Sequence, residues 1–275
     1  MIDLVWGSNS YVGINLTKGL EPATSFLVSK STNDSLNQDF PFILHDFCLK
    51  PFFIDKGVKR LFILARSESD QTSDQVSFYD HLGQSVKALV KDNPGIEIHF
   101  LSSTLVYSSN ENKAYDLNTR PAPEALYERQ KLDFEDYLVD LNMAYSKMSL
   151  FIYRIPLLIG GVLREKDRGR QLFYAFYDGF KQGHFWAFPK PEQREMGTAW
   201  LDVAALCSIM LKPEEQAGRV LYLPYSGNLS YYEFMRAAHQ SLAFRFIEKR
   251  SLAPQSYMFI NSPDLWGQAP FWSIF

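Results

Sequence analysis

Cysteine is scarce in this sequence of 275 residues: the chain has two, Cys48 and Cys207, which lie far apart and inside apolar runs. Such a pair excludes a disulfide framework and a cysteine-based zinc site. The five histidines show no metal-ligand spacing, and a GxSxG nucleophile elbow is missing. We therefore expect no metal centre and no serine hydrolase of the elbow type.

A large excess of either charge is also missing, since the net charge is −3 at pH 7 and the pI is about 6.0. Without an overall basic field, the chain is not expected to bind nucleic acid. Its longest apolar run, residues 148–163, is interrupted by Arg154, Pro156 and the pair Gly160-Gly161, and its first residues do not resemble a signal peptide. These absences predict a soluble, cytoplasmic protein without a membrane partner.

The composition that remains is that of a globular protein, with 46% hydrophobic, 15% aromatic and 21% charged residues. Apolar runs alternate with segments of helical spacing along residues 1–155. The predicted strands are 2–6, 25–28, 40–44, 60–65, 97–102 and 149–155, and the predicted helices are 11–20, 78–92 and 127–142. This alternation predicts βαβ units and a parallel sheet with helices on both faces.

The pattern changes after residue 160. We predict a charged connector at 164–170, helices at 171–181, 200–211 and 231–242, an aromatic and proline-rich loop at 184–194, and a strand at 220–223. An aromatic cluster here suits either the core of a small lobe or the wall of a ligand site, and arginines flank it. The aromatic residues are Phe173, Tyr174, Phe176, Tyr177, Phe180, Phe185, Trp186 and Phe188, and the arginines are Arg164, Arg168, Arg170 and Arg194.

A glycine-containing loop, GSNSYVG at residues 7–13, follows the first predicted strand. In a dinucleotide-binding turn the first glycine makes a tight bend, the last lets helix and strand pack closely, and the helix start offers amides to the pyrophosphate. The middle glycine, which lets the backbone approach the phosphates, is replaced by Ser10. We expect a dinucleotide site, with a plain turn as the alternative. Its residues are Gly7, Asn9, Ser10, Tyr11, Val12 and Gly13.

The end of the second predicted strand bears on the choice of dinucleotide. NAD favours an acidic residue there for the ribose 2′-hydroxyl, whereas the 2′-phosphate of NADP favours a cation. The chain has Ser29 and Lys30 and no acid before Asp34. This favours NADP over NAD, with a solvated surface lysine as the alternative reading of Lys30.

Three residues form a candidate catalytic set: Ser103 at a strand end, and Tyr127 and Lys131 four positions apart on a predicted helix. Residues at this spacing share a helix face. A nearby ammonium stabilises a tyrosinate, so we expect Lys131 to lower the pKa of Tyr127 toward the range of proton transfer. The Ser103 hydroxyl can donate to a substrate oxygen that gains charge.

Together these segments resemble the extended short-chain dehydrogenase/reductase family, the group of nucleotide-sugar epimerases, dehydratases and reductases. The resemblance runs through most of the chain in order. Beyond the glycine loop, the matching residues are Asp46, Leu64-Ala65, Ser103 with Val106-Tyr107, Pro123 through Tyr127, Lys131 and Glu135, Arg154-Ile155-Pro156, and Ala199 through Val203. Two positions depart from the family pattern: Ser10 replaces a glycine, and Asp80 stands where an asparagine is frequent.

The resemblance implies a Rossmann-type doubly wound sheet, with residues 1–160 as the NAD(P)-binding domain. Residues 161–275 then form mostly a small substrate lobe, with a last strand or helix returning to the sheet. It further implies Tyr127 as the general acid/base, Lys131 as the residue that holds the nicotinamide ribose, and Ser103 as the polarising hydroxyl. Asp46 is placed near the adenine, and Leu64 and Ala65 beside the cofactor.

Three functions are consistent with these residues. The first is an oxidoreductase or epimerase that acts on a hydroxyl or ketone carbon of a nucleotide-linked sugar. The second is a reductase of a small apolar ketone or aldehyde, and the third is a non-catalytic NAD(P) sensor or scaffold. Elimination is disfavoured, because Thr104 and Leu105 stand where the dehydratases have acidic residues. The resemblance also allows a homodimer through helices 127–142 and 78–92, with a monomer as the alternative.

Overall fold

The main sheet has seven parallel strands. The computed structural model describes residues 1–31, 39–54, 57–66, 72–107, 116–162, 197–213 and 218–230. The strands are β1 (Ile2–Trp6), β2 (Ser25–Ser29), β3 (Phe42–Leu44), β4 (Val58–Ile63), β5 (Glu97–Ser103), β6 (Ser149–Ile155) and β9 (Arg219–Tyr222). Their order is β3-β2-β1-β4-β5-β6-β9, and every neighbouring pair is parallel.

Helices cover both faces of this sheet. They are α1 (Tyr11–Leu16), α2 (Thr72–Asp92), α3 (Leu126–Ala144) and α4 (Val203–Leu211), with short 3-10 turns at Thr17–Gly19, Pro22–Thr24 and Thr104–Tyr107. Residues alternate along β1: Leu4 and Trp6 join one apolar cluster with α2 and α3, whereas Val5 joins another with α1 and α4. Burial on both faces explains why the strands read as nearly continuous apolar runs. The predicted doubly wound, Rossmann-type fold is therefore confirmed.

The predicted strands of the first 155 residues match the structure to within two residues at each end, and β6 has the predicted bounds. The first helix is shorter than predicted. It ends at Leu16, where the chain tightens into the 3-10 turn Thr17–Gly19. The helix at 78–92 begins earlier than predicted, at Thr72.

The prediction of one helix over residues 200–211 is wrong at its start. A strand, β8 (Gly197–Asp202), precedes the helix and pairs with β7 (Leu157–Ile159) and with β10 (Gly227–Ser230) in a second, three-stranded sheet. The Asp202 carboxylate accepts hydrogen bonds from the amides of Ala204 at 2.7 Å and Ala205 at 3.3 Å. Since this is an N-cap, the helix begins at Val203.

Beyond residue 160, β9 pairs with β6 in the main sheet, and α4 packs on α1. The division into two domains at residue 160 stays a prediction. The predicted helices 171–181 and 231–242, the loop 184–194, the aromatic cluster and its arginines lie outside the described residues. None of the helices in the described ranges combines the length and the apolar character that crossing a bilayer demands.

Candidate active site

The residues of the candidate site lie at the carboxyl ends of β1, β4 and β5. In the sheet, β1 lies between β2 and β4. The strands β2 and β3 extend the sheet on one side of β1 and β4 extends it on the other, so the strand order reverses at β1. Open parallel sheets bind ligands at such a reversal of strand order, outside the carboxyl ends of the strands. The glycine loop begins there, directly after Trp6.

The first and last glycines of the loop are required by the backbone. Gly7 has a φ of +85°, and a Cβ at this position would lie 2.6 Å from the backbone nitrogen of Ala65. A Cβ on Gly13 would lie 2.5 Å from the carbonyl oxygen of Ser8. The amide of Gly7 donates to the Val28 carbonyl at 2.9 Å, which ties the loop to β2. This close passage of backbone past backbone fits the loop expected for a dinucleotide.

Ser10, in place of the middle glycine, causes no backbone strain. It has a φ of −70° and a ψ of 163°, which any residue adopts, and its hydroxyl accepts from the Gly13 amide at 3.1 Å. Ser10 is therefore the N-cap of α1. The neighbouring Asn9 amide donates to the backbone and the side chain of Ser31, which follows β2.

Tyr11 and Val12 contribute to the core rather than to the loop surface. Both side chains are buried, and the Tyr11 hydroxyl donates to the Gly160 carbonyl. Leu64 is buried after β4, and Ala65 follows it against Gly7. Backbone atoms of Leu64 and Ala65 are the ones that a Cβ on Gly7 would meet.

Lys30 and Asp46 form an ion pair beside the glycine loop, with 3.2 Å between Nζ and Oδ2. The Lys30 side chain is 62% exposed. Asp46 also accepts from the Cys48 amide at 2.9 Å. Partial burial opposes ionisation of Asp46, but the hydrogen bonds from Cys48 and Lys30 outweigh it and lower its pKa.

The three predicted catalytic residues line one cavity of about 120 Å³. Ser103 closes β5, Tyr127 and Lys131 lie on the first turns of α3, and Leu64 and Arg66 follow β4. The lining residues are Leu64, Arg66, Leu101, Ser102, Ser103, Tyr127, Lys131, Ile155 and Pro156. The structure thus brings together a hydroxyl from β5 with a phenol and an amine from α3.

The start of α3 is set by Glu128, which folds back on the chain. Its Oε2 accepts from the amides of Glu124 at 2.8 Å and Ala125 at 2.9 Å. Because these amides precede the helix, the contact fixes where α3 begins and places Tyr127 in its first turn.

Lys131 is buried, with 4% of its surface exposed. Its ammonium donates to the Leu101 carbonyl at 2.8 Å and lies 4.7 Å from the centre of the Phe100 ring. Burial lowers the pKa of Lys131 to about 7, assisted by the positive charge of Arg66 and opposed by Glu135. Lys131 therefore changes its charge near neutral pH.

Tyr127 is half-buried, and the Lys131 ammonium lies 5.9 Å from the centre of its ring. Burial raises the pKa of Tyr127, although the charge of Arg66 acts in the opposite direction. This sign is opposite to the lowering expected from the sequence, because burial of the phenol is the largest influence on it. Ser103 accepts from the Leu105 amide at 3.2 Å, which orients its hydroxyl.

A buried network behind the cavity was missed from the sequence. Glu135 accepts from Ser102 and from Arg154, and Arg154 also donates to the Tyr107 hydroxyl. The signal was present, since an arginine in the apolar strand SLFIYRI requires a buried partner. Arg66, which acts on both Tyr127 and Lys131, was missed as well, whereas Asp80 is exposed.

This strand order, with a glycine loop at its reversal, defines an α/β protein of the dinucleotide-binding fold class. The chain belongs to the NAD dependent epimerase/dehydratase family, whose model matches residues 4–219. No curated protein matches the sequence.

Solved structures resemble the chain at low sequence identity. One is a UDP-N-acetylglucosamine 4-epimerase from Methanobrevibacter ruminantium in complex with UDP-N-acetylmuramic acid, with a TM-score of 0.71 and 16% identity over 88% of this chain and 82% of that chain. Another is a UDP-glucose 4-epimerase from Thermotoga maritima with UDP-glucose, at 0.70 and 14% over 89% and 83%. A third is a dTDP-glucose 4,6-dehydratase from Bacillus anthracis with NAD, at 0.67 and 16% over 88% and 81%. These likenesses show the fold.

Proposed function

We propose that this chain is an NAD(P)-dependent enzyme that oxidises, reduces or epimerises a hydroxyl or ketone carbon of a nucleotide-linked sugar. The observation that carries this proposal is the cavity at the carboxyl end of β5, where Ser103, Tyr127 and Lys131 meet. It lies near the glycine loop, as hydride exchange with a bound dinucleotide requires. The UDP-sugar and NAD complexes among the similar structures support the choice of substrate and cofactor.

The bound dinucleotide supplies hydride exchange at its nicotinamide. Tyr127 moves a proton at the substrate oxygen, and Ser103 donates a hydrogen bond to the same oxygen as it gains charge. Lys131 binds the nicotinamide ribose and, as an ammonium ion, offsets the burial that disfavours the tyrosinate. The backbone amides of the glycine loop hold the pyrophosphate.

We also propose a preference for NADP over NAD. Ser29 ends β2 and Lys30 follows it. The largely exposed Lys30 ammonium pairs with Asp46, and it is a cation at the position that favours a 2′-phosphate. Asp46, adjacent to Lys30, then lies near the adenine. The expected result is tighter binding of NADPH than of NADH, and Lys30→Ala removes this difference.

Titration with NADPH and with NADH, followed by tryptophan fluorescence, tests the cofactor proposal. Trp6 is fully buried directly before Gly7, so a dinucleotide on the loop quenches it or accepts its energy. Binding of neither dinucleotide contradicts the proposal. Binding without turnover of any nucleotide sugar or carbonyl favours the non-catalytic sensor.

Tyr127→Phe tests the chemistry. We expect turnover to fall by about 10²–10⁴-fold, because the general acid/base is lost, while dinucleotide affinity is retained. Tyr137→Phe is the matched control: it removes a phenol hydroxyl from the same helix, one that donates to the Gly83 carbonyl at 2.8 Å, and turnover should persist. Normal turnover by Tyr127→Phe shows that the assigned acid/base is wrong.

A reductase of small apolar carbonyls is the second candidate. Four aliphatic residues of the cavity lining favour it: Leu64, Leu101, Ile155 and Pro156. Assays with UDP-sugars and with small ketones, each with the preferred dinucleotide, distinguish the two. Turnover of ketones alone replaces the nucleotide-sugar proposal by this one.

The homodimer through α3 and α2 also stays a proposal. Asp133, Asp136 and Asp140 are exposed along α3, so a dimer that pairs this face brings like charges together. We expect such a dimer to tighten as salt screens the carboxylates. Sedimentation velocity at low and high ionic strength tests this, and a monomer under both conditions contradicts it.

A further inference from the structure

Helix α3 is docked on β5 by two side chains one turn apart. Lys131 donates to the Leu101 carbonyl, and Glu135 accepts from the hydroxyl of Ser102, the next residue along the strand. Leu101 and Ser102 are the two residues before Ser103 on the strand. Because residues four positions apart on a helix bind consecutive residues of the strand, the helix has one axial position relative to β5.

Glu135 is in turn held by Arg154 on β6. The Arg154 Nε lies 3.1 Å and its Nη2 2.6 Å from Glu135 Oε2, and the arginine also donates to the Tyr107 hydroxyl. Ser102 and Arg154 are neighbours in the register of β5 and β6, so both reach the same carboxylate. The exposed fractions are 2% for Ser102, 3% for Glu135 and 6% for Arg154. A buried network that is satisfied in this way specifies one geometry.

We propose that Glu135, held by Arg154 and Ser102, is a positioning residue that favours the charged form of Lys131 and holds it in place behind Tyr127. The inference rests on the proposed function for the task of Lys131, since a charged Lys131 serves the proton transfer at Tyr127. Glu135 itself does not line the cavity and has no contact with the reacting atoms assigned to it.

The charge of Lys131 is set by groups on several elements. The titratable groups on the described elements around it include Arg66 after β4, Tyr107 after β5, Arg154 on β6, Tyr79 on α2, and Tyr127, Glu128 and Glu135 on α3. Arg66 disfavours the ammonium and Glu135 favours it. Removal of the Glu135 carboxylate therefore lowers the pKa of Lys131. Removal of the Arg154 guanidinium leaves the Glu135 carboxylate uncompensated and therefore raises the pKa of Lys131.

NMR of the full chain with ¹³C-labelled lysine tests this without cofactor, substrate or turnover. The Lys131 signal is assigned by its loss in Lys131→Met, and its titration midpoint in the unchanged protein is expected near pH 7. Glu135→Gln should shift the midpoint down by about one pH unit, and Arg154→Met should shift it up. If the pair had only a structural role, the two variants would not shift the Lys131 midpoint in opposite directions. Shifts of both variants in the same direction, or no shift in either, therefore overturn the inference.

A double variant keeps the test decisive if a single variant does not fold. Glu135→Met combined with Arg154→Leu leaves neither charge unpaired. The Lys131 midpoint should still fall, but by less than in Glu135→Gln, because the guanidinium that disfavours the ammonium is removed as well. Asp136→Asn removes the adjacent carboxylate on the same helix, which is exposed, and should leave the midpoint unchanged. An unchanged midpoint in the double variant overturns the inference.

The kinetic counterpart is the pH dependence of kcat. In Glu135→Gln the alkaline loss of activity should move to lower pH, with KM for the nucleotide sugar nearly unchanged. If the NMR shifts occur but no substrate is turned over, the proposed function fails and the positioning role stands. If turnover is found and the NMR shifts are missing, the positioning role fails.

Discussion

The two ends of the site are held by different physical means. Backbone geometry holds the glycine loop: Gly7 hydrogen-bonds to Val28, the Ser10 amide donates to the Gly7 carbonyl at 2.9 Å, and Gly13 leaves no room for a Cβ. Buried charge holds the catalytic end, where Arg154 and Glu135 pair beneath the cavity.

This difference decides which substitutions each end tolerates. The loop accepts a side chain wherever φ is negative and space is free, which is why Ser10 can replace a glycine and cap the helix. The catalytic end accepts changes of shape more readily than the loss of a single charge, because a lone buried ion is costly. Four experiments sharpen this contrast.

The largest effect is expected from breaking the ion pair. Arg154→Leu should lower the free energy of unfolding by about 3–5 kcal/mol, because the Glu135 carboxylate is left buried and unpaired. Combining it with Glu135→Leu should recover most of that loss. Arg129→Leu, at an exposed position of α3, is the control and should change stability by about 0.5 kcal/mol or less. Denaturant unfolding measures all three, and equal losses in the single and double variants contradict the argument.

The next effect concerns pH. In the unfolded chain Lys131 has its ordinary pKa of 10.5, and in the folded protein a pKa of about 7. Between these values the unfolded chain binds one more proton, so stability rises with pH, by at most about 1.4 kcal/mol per unit. Relative to Lys131→Met, the protein should gain stability from pH 7 to pH 9. Denaturant unfolding measures the free energies of unfolding of the unchanged protein and of Lys131→Met. If their difference is the same at pH 7 and at pH 9, the pKa of Lys131 is not lowered in the folded protein.

At the loop, Gly7→Ala should cost about 1–3 kcal/mol, because alanine is strained at a φ of +85° and its Cβ meets the backbone of Ala65. It should also weaken dinucleotide binding. Gly95→Ala is the matched control, since a Cβ there meets nothing within 4 Å. Thermal unfolding compares the two, and similar losses would refute the steric requirement at Gly7.

The smallest effect is expected at Ser10. Loss of the cap in Ser10→Ala should cost about 1 kcal/mol, and Ser10→Gly only a few tenths. Ser10→Gly also frees the Gly13 amide for a phosphate, so NADPH should bind more tightly. Ser10→Thr keeps the cap and should bind NADPH as the unchanged protein does. Weaker binding by Ser10→Gly indicates that the hydroxyl itself contacts the cofactor.

The sequence predicts best those strands that are buried on both faces of the sheet. The run SLFIYRI forms β6 with the predicted bounds, because a strand covered on both faces is a nearly continuous apolar run. Residues 200–211 are also apolar apart from Asp202 and Ser208, so periodicity does not separate β8 from α4. The side chain of Asp202 was the signal that marks the boundary.

In the site, the spacing of Ser103, Tyr127 and Lys131 located residues that the structure brings to one cavity. Electrostatics were less predictable. The sign of the Tyr127 pKa shift depends on burial, and the pairing of Glu135 with Arg154 depends on how α3 lies on β6. Neither quantity is encoded in the spacing of a motif.

The contacts of α1 also bear on how this protein is made. The Tyr11 hydroxyl binds Gly160, and the Asn15 side chain binds both backbone groups of Val162 at 2.8 Å, partners that follow 149 and 147 residues later. At a synthesis rate of roughly 5–20 residues per second, these partners leave the ribosome about 7–30 s after α1 does. During synthesis, the helix that follows the glycine loop therefore lacks its hydrogen bonds to Gly160 and Val162 until more than half of the 275 residues have been translated.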